Sequence, residues 1–100
     1  MLIIAGTITV DPADREKFLA IRRDTVARAR AMKGCLQYAF SADAVDPGCV
    51  RLFEMWESLE DVKAHLAAMQ ADRKESDAPA VAVKGVDYLK YEISSSGPIA

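Results

Sequence analysis

Two side chains that could take part in chemistry lie in the stretch RLFEMWESLEDVKAHL, at residues 51–66. Trp56 and His65 are the only Trp and the only His of the chain, and they are nine residues apart. Histidine has an unperturbed pKa close to neutrality, so His65 is a candidate general base. The indole of Trp56 could supply a flat wall and an N–H donor. The same pair could instead be a core aromatic and a surface histidine.

Further candidates for the lining of a pocket lie on the neighbouring strand patterns. The side chains with a suitable aromatic, apolar or hydroxyl character are Thr7, Tyr38, Phe40, Phe53 and Met55. Successive side chains of a strand point to opposite faces, so only one face of each strand can point at a pocket. The remaining members of this set would then lie in the core or at an interface between subunits.

Metal and cofactor chemistry is not indicated by the sequence. Cys35, Cys49 and His65 are too few and too dispersed for a zinc site. The two cysteines fall near opposite ends of a predicted hairpin, roughly 20 Å apart, whereas a disulfide needs Cα atoms within about 7 Å. We therefore expect two free thiols, no metal ligands, and no haem or flavin.

Composition limits the partners that the chain could have. One hundred residues, 51% of them hydrophobic, can build one packed domain. The net charge of −2 argues against nucleic acid, which attracts a strongly basic surface. No apolar run approaches a membrane span, and the first residues lack the features of a signal peptide. We expect a single domain over residues 1–94, a flexible tail over residues 95–100, and a cytoplasmic location.

The order of hydrophobic patterns predicts the fold. Alternating patterns favour strands at residues 2–10, 35–42, 49–57 and 86–93. Helical patterns separate the first strand from the second and the third from the fourth. The order strand, helix, strand, strand, helix, strand is that of the α+β, ferredoxin-like split βαβ arrangement. It predicts a four-stranded antiparallel sheet with both helices on one face.

Capping residues mark the ends of the two predicted helices. Asp11 and Pro12 are typical of a helix start, and Gly34 is typical of a helix end. Ser58 followed by Asp61 resembles a capping box at the start of the second helix. Residues 70–79 are polar and favour a frayed helix end and a loop, followed by an apolar turn at residues 80–83.

The two helices have different apolar faces. In the first helix the predicted buried stripe is Phe18, Ile21, Thr25, Ala29 and Met32. Its arginines, Arg15, Arg22, Arg23, Arg28 and Arg30, mostly fall on the other faces and are predicted to be solvated. In the second helix Val62, Leu66 and Met69 form the stripe. This puts His65 on the flank of that stripe, near a pocket mouth and within reach of water.

Apolar residues recur on both faces of the strands, although helices can cover only one face. A second copy of the chain, packed sheet against sheet across a two-fold axis, would cover the other. We therefore expect a homodimer through the sheet face.

A family resemblance is carried by four stretches of the sequence, IAGTITV, GCLQYAF, FEMWESLEDVKAHL and VKGVDYLKYEI. Through them, nearly the whole chain resembles the antibiotic biosynthesis monooxygenase domain of the dimeric α+β barrel superfamily. Its members include cofactor-free oxygenases that convert quinols or phenolic polyketide intermediates to quinones, haem-degrading enzymes and a signal isomerase. The resemblance implies a dimeric barrel with a pocket between sheet and helices in each subunit.

The resemblance also implies roles for individual residues. Trp56 matches a strand Trp that lines the polyketide oxygenase pocket, but Leu52 and Val62 stand where that enzyme has polar Asn and Tyr. In the haem-degrading branch an Asn, a Trp and a His correspond here to Thr7, His65 and the region of residues 75–76. No axial haem ligand is evident. The quinol monooxygenase branch has a His on the helix after WES, and His65 matches it.

This resemblance implies a cofactor-independent monooxygenase that oxidises a small phenolic or quinol-type aromatic substrate with dioxygen. His65 would be the catalytic base. The candidate substrate-binding residues are Trp56, Thr7, Tyr38, Phe40, Phe53 and Val62. The alternative is a non-catalytic small-molecule-binding protein, or an isomerase, on the same scaffold.

Overall fold

The computed structural model describes residues 1–75 and 81–100. Its strands are β1 (Leu2–Val10), β2 (Cys35–Ala42), β3 (Cys49–Trp56) and β4 (Val83–Glu92), and its helices are α1 (Arg15–Arg30) and α2 (Leu59–Glu75). A short 3-10 helix, Pro12–Asp14, leads into α1. The strands pair antiparallel in the order β2-β3-β1-β4. This confirms the predicted α+β, ferredoxin-like fold.

One predicted boundary after α2 is wrong. Residues 70–79, predicted as a frayed helix end and a loop, are helical as far as Glu75, and residues 76–80 lie outside the described residues. The fourth strand begins at Val83, three residues before the predicted start. Pairing explains the earlier start, because β4 continues along β1 past a register shift until Val83 meets Val10.

The predicted caps act at the two helix starts, whereas α1 ends at Arg30 with Ala31 as its C-cap, before the predicted glycine stop. The Asp11 carboxylate accepts a hydrogen bond from the Ala13 N–H at 2.9 Å, and so caps the 3-10 turn. The Ser58 hydroxyl accepts one from the Asp61 N–H at 3.2 Å at the start of α2. Gly34 follows α1 with a φ of 83°, a left-handed conformation that favours glycine.

The core lies between the helices and one face of the sheet, here called the covered face. Its buried strand residues include Leu2, Ile8, Val10, Tyr38, Val50, Leu52 and Trp56. Phe18 and Ala29 of α1 are buried against it, as the predicted stripe requires. In α2, Val62 and His65 are buried, whereas Leu66 is 51% exposed. The predicted α2 stripe is therefore wrong at Leu66. Adjacent helical residues are turned about 100° from each other, so burial of His65 turns Leu66 towards solvent.

Two arginines of α1 contact the β2–β3 hairpin rather than only solvent. One Nη of Arg15 donates to the carbonyl oxygens of Asp43 and Asp46, at 3.1 and 2.9 Å. Arg30 donates from Nε to the carbonyl oxygen of Tyr38 at 2.9 Å. These contacts fix both ends of α1 to the hairpin. Arg30 is nevertheless exposed, as predicted, whereas Arg15 is half-buried.

The other face of the sheet, here called the open face, has no helix over it among the described residues. Its apolar members in register across the sheet are Ile3, Ala5, Ala39, Phe53, Met55, Leu89 and Tyr91. Leu89 and Tyr91 are 59% and 50% exposed. The open face therefore leaves apolar side chains in contact with solvent.

Candidate functional site

Strand β3 directs a carboxyl group and an indole into the core. Glu54 and Trp56 are two residues apart, so both point to the covered face, and both are buried. The Trp56 Nε1–H donates to Oε1 of Glu54 at 2.9 Å. A buried carboxyl group needs hydrogen-bond partners, and Trp56 supplies one.

His65 lies in the core, not at the surface. It is 3% exposed, so the prediction that it reaches water is wrong. Its ring lies 5.0 Å from that of Trp56, with an interplanar angle of 34°, and 5.2 Å from that of Tyr38 in an edge arrangement. The cause is the rotation of α2, which turns Val62 and His65 together towards the sheet.

The imidazole faces the carboxyl group of Glu54. His65 Nε2 lies 4.0 Å from Glu54 Oε1, which is too far for a direct hydrogen bond. Within the described part of the chain, this Nε2 is the one buried side-chain nitrogen or oxygen without a hydrogen-bond partner. An orphaned buried polar atom is rare in a folded protein and calls for a specific explanation.

Burial shifts the titration of all three ionisable groups at this centre towards their neutral forms. It raises the pKa of Glu54, and the hydrogen bond from Trp56 opposes that rise. It lowers the pKa of His65. It also raises the pKa of the Tyr38 phenol, and the neighbouring charge of Glu54 raises that pKa further. His65 is thus held in the neutral form that can accept a proton.

Several predicted site residues surround this centre. Tyr38, Phe40 and Val62 pack in the covered-face core with Trp56, and the rings of Tyr38 and Trp56 contact that of His65. The rings of Tyr38 and Phe40 are 5.8 Å apart in an edge arrangement. Phe40 therefore lies one ring farther from His65 than Tyr38 does.

Two other predicted site residues lie on the opposite side of the sheet. Thr7 pairs with Arg51, and Phe53 pairs with Ala5, in the register of the open face. Met55 belongs to the same face. The structure therefore does not bring Thr7 and Phe53 together with His65 within one chain.

A groove of about 310 Å³ between α1 and α2 reaches His65 from outside. It is lined by Thr25, Arg28, Ala29, Met32, His65, Ala68 and Met69. Small and apolar side chains make up most of this lining, so the groove suits an apolar or aromatic molecule.

Glu54 is the residue of this centre that sequence reasoning missed. The signal was present in the alternation of LFEMW, where Leu52, Glu54 and Trp56 share one phase. A charged residue in phase with a buried Leu and Trp must point into the core. Such a residue is rarely buried without a partner, and it therefore marks a polar centre.

Other kinds of site find no support among the described residues. No group of three or more His, Cys, Asp or Glu side chains in residues 1–75 and 81–100 could hold a metal ion. Cys35 and Cys49 are free thiols, as predicted. None of the described helices has the length and apolar character needed to cross a membrane.

Comparison with solved structures supports the fold independently. A Deinococcus radiodurans protein classed with the antibiotic biosynthesis monooxygenases is similar over 100% of this chain and 99% of its own, with 25% identity and a TM-score of 0.74. A Pseudomonas aeruginosa protein matches 93% of this chain and 94% of its own, with 26% identity and a TM-score of 0.75. The haem-degrading enzyme MhuD of Mycobacterium tuberculosis has a TM-score of 0.77 but 16% identity, over 98% of this chain and 100% of its own, and so shares the fold alone.

Sequence comparison identifies the family. An uncharacterized protein of Synechocystis is 23% identical over 95 residues, which are 95% of this chain but 65% of that protein. The family model described as antibiotic biosynthesis monooxygenase matches residues 1–73, which is more than half of the chain. The chain belongs to the antibiotic biosynthesis monooxygenase family.

Proposed function

We propose that the protein is a cofactor-independent monooxygenase that oxidises a small phenolic or quinol-type aromatic substrate with dioxygen. His65 is the base that takes the phenolic proton. Trp56 and Tyr38 form aromatic walls beside it. Phe40 and Val62 complete the apolar surroundings.

The observation that carries this proposal is the orphaned Nε2 of His65. It is buried and lacks a hydrogen-bond partner, and the imidazole ring that carries it lies 5.0 and 5.2 Å from two aromatic rings. Burial also lowers the pKa of His65, so the imidazole is neutral near pH 7. A neutral imidazole in apolar surroundings is suited to general-base catalysis on a weakly acidic hydroxyl group.

A phenolic substrate can supply all the electrons that the reduction of dioxygen needs. A phenol with an unsubstituted para position and one dioxygen molecule give one para-quinone and one water. One oxygen atom becomes the new quinone carbonyl, and the other leaves as water after taking up two protons. The substrate supplies all four electrons that reduce dioxygen. Removing the phenolic proton makes the ring electron-rich enough to begin this transfer, and His65 is the group assigned to that step.

Haem chemistry is not proposed, because the described residues do not fit an iron ligand. His65 is the only histidine, its ring packs against Trp56 and Tyr38, and its Nε2 faces Glu54 at 4.0 Å. A proximal ligand needs open space for a macrocycle beyond the nitrogen. Residue 76, near which the haem-branch histidine would fall, lies outside the described residues.

A second candidate function is small-molecule binding without oxidation, or isomerisation. The groove between α1 and α2 favours it, because a cavity of about 310 Å³ with a mainly apolar lining can hold a small ligand whether or not His65 removes a proton. The two candidates differ in one measurable property, which is the consumption of oxygen.

The proposed assembly is a homodimer through the open face, with each copy covering the apolar residues of the other. The open face includes Thr7 and Phe53, two predicted site residues that point away from His65. In a dimer these side chains would lie at the interface. The proposed location is the cytoplasm, where a reducing environment would keep Cys35 and Cys49 as thiols.

The proposed function is tested by aerobic turnover of a panel of quinols and polyphenols, with oxygen uptake recorded. For at least one substrate we expect oxygen uptake and quinone formation in equal molar amounts. No quinone should form when dioxygen is absent. His65→Gln should abolish most of the activity, whereas Lys63→Gln, an exposed change on the same helix, should not. Binding of panel compounds without oxygen uptake would instead support the second candidate.

A further inference from the structure

The most polar point of the core is occupied by two ionisable groups that face each other. The carboxyl group of Glu54 and the imidazole of His65 are 4.0 Å apart, and both side chains are more than nine-tenths buried. Glu54 accepts a hydrogen bond from Trp56, while His65 Nε2 has no partner. The family match and the groove do not explain why a carboxyl group should lie at this point.

We propose that Glu54 and His65 hold one exchangeable proton between them, and that Glu54 is the positioning residue that sets the protonation of His65. The sharing of the proton depends only on the geometry of these two groups. Its consequence for catalysis rests on the proposed function of His65 as a base.

The net charge of each protonation state favours one proton on the pair. With one proton, the pair is either a neutral acid beside a neutral base or an ion pair, and its net charge is zero. With no proton or with two, one charge stays buried without a counter-charge. An uncompensated buried charge is strongly unfavourable. The one-proton state is therefore favoured near neutral pH, and the pair loses its proton as one unit when the pH rises.

The distance allows the pair to close. A hydrogen bond between oxygen and nitrogen needs about 2.7–3.2 Å. The gap of 4.0 Å could close to that length by a small rotation of either side chain, or one water or hydroxyl oxygen could bridge it. Both arrangements would give Nε2 of His65 the partner that it lacks.

The charged and titratable groups that act on the same cluster come from three elements. They are Arg22 and Arg30 of α1, Cys35 and Tyr38 of β2, and Tyr88 of β4. Arg28 of α1 lines the groove beside His65. The charge of Glu54 raises the pKa of both Cys35 and Tyr38, so these two groups respond to it rather than supply its proton. His65, at 4.0 Å, is the neighbouring group that can exchange a proton with Glu54.

The shared proton has a consequence for the proposed reaction. Only a neutral imidazole can accept a proton from a phenol. Glu54 sets whether the shared proton lies on its own carboxyl oxygen or on the nitrogen of His65. It therefore sets the fraction of His65 that is neutral and able to accept a proton from the substrate. Glu54 would thus act through His65 without touching the substrate.

The test uses NMR of the full chain, in which each probe comes from a single residue. The chain has one His and one Trp, so the ring nitrogens of His65 and the indole N–H of Trp56 need no further assignment. The Trp56 signal reports on Glu54, to which it is hydrogen bonded. Both probes are followed between about pH 4 and pH 10, which spans the ordinary pKa values of Glu and His.

We expect the two probes to move together, with one midpoint, when the pair loses its proton. In Glu54→Gln this common step should vanish, and the Trp56 signal should no longer follow the ring of His65. The matched control, Glu57→Gln, alters an exposed carboxylate three residues away and should keep the common step. If Glu54→Gln does not fold, the coincidence of the two midpoints in the wild type decides the matter alone.

The proposal would be overturned if His65 titrated alone, or with an unchanged midpoint in Glu54→Gln. It would also be overturned if neither signal moved over this range. Because the NMR test needs no substrate, it separates this proposal from the proposed function. A common titration step in a protein that turns over no phenol would refute the proposed function and leave the shared proton standing.

Discussion

His65 Nε2 lies 4.0 Å from Glu54 Oε1 in a core where both side chains are almost completely enclosed. A histidine on α2 and a glutamate on β3 therefore form the polar centre of an otherwise apolar interior. Because burial penalises the charged form of each, the stability of the protein depends on pH through both residues, in opposite directions.

The pH dependence due to His65 has a definite sign. Its pKa is lowered on folding, so below about pH 6.5 the unfolded chain binds a proton there more readily than the folded protein does. Stability should therefore fall as the pH drops from about 7.5 to about 5.5. The free energy of unfolding, measured by urea denaturation, should decrease less over this interval in His65→Gln than in the wild type.

Glu54 provides the opposing control for that experiment. Its pKa is raised on folding, so it contributes stability below about pH 4.5, and this contribution is lost as the pH rises through the folded value. Glu54→Gln removes this loss and should gain stability relative to the wild type as the pH rises. Parallel stability curves for the wild type and both variants would contradict the assignment of these two groups as coupled, buried titrating residues.

Replacement of His65 should affect turnover more than it affects assembly. General-base help is typically worth about 10²–10⁴-fold in rate. His65→Ala should therefore reduce kcat for a phenol that the wild type oxidises by about that factor, while gel filtration reports an unchanged assembly. Full activity in this variant, measured by oxygen uptake, would mean that His65 is a structural residue of the core.

Replacement of Trp56 by Phe should destabilise the protein. It removes part of a fully buried side chain and the N–H that satisfies Glu54. We expect a loss of about 2–4 kcal/mol in the free energy of unfolding, from the cavity and the unsatisfied carboxyl together. In a Glu54→Leu background, which has no acceptor for the indole N–H, the same change should cost less, and equal losses in both backgrounds would show that the hydrogen bond contributes nothing.

The fold could be predicted from sequence because local signals and periodicity agree in most of its elements. Asp11 and Ser58 each cap the helix start that their type predicts. The exact rotation of α2 could not be predicted, because His65 and Leu66 are adjacent and either could complete an apolar stripe with Val62. Packing against Trp56 and Tyr38 decides between them, and it buries the less apolar one.

The candidate site was predictable only in part, for a related reason. Alternation assigns the residues of a strand to two faces, but it does not say which face the helices cover. Thr7 and Phe53 were thus grouped with Trp56, although their register puts them on the open face. Pairing across strands, which depends on residues far apart in sequence, supplies the missing information.

Gly6 should be intolerant of any side chain. A Cβ at this position would lie 1.9 Å from the carbonyl oxygen of Asp87, so β1 and β4 would have to separate. Gly6→Ala should lower the free energy of unfolding by at least about 1–3 kcal/mol, the usual range for overpacking. The control is Gly85→Ala, where the nearest atom lies 4.0 Å away. Equal stability of the two variants would contradict the close approach of the strands.

The proposed dimer can be tested with two positions on the same strand that point to opposite faces. Leu89 pairs with Ala5 on the open face, and Val86 pairs with Ile8 on the covered face. Their exposures in one chain are nearly equal, 59% and 57%, so the two differ mainly in the face that they occupy.

Leu89→Glu should convert the protein to a monomer at micromolar concentration, because a charge would be buried without a partner between two sheets. Val86→Glu should remain a dimer, since its side chain points away from the proposed interface. Sedimentation velocity distinguishes the two species directly. A wild-type monomer at this concentration, or dissociation in both variants alike, would rule out an interface through the open face.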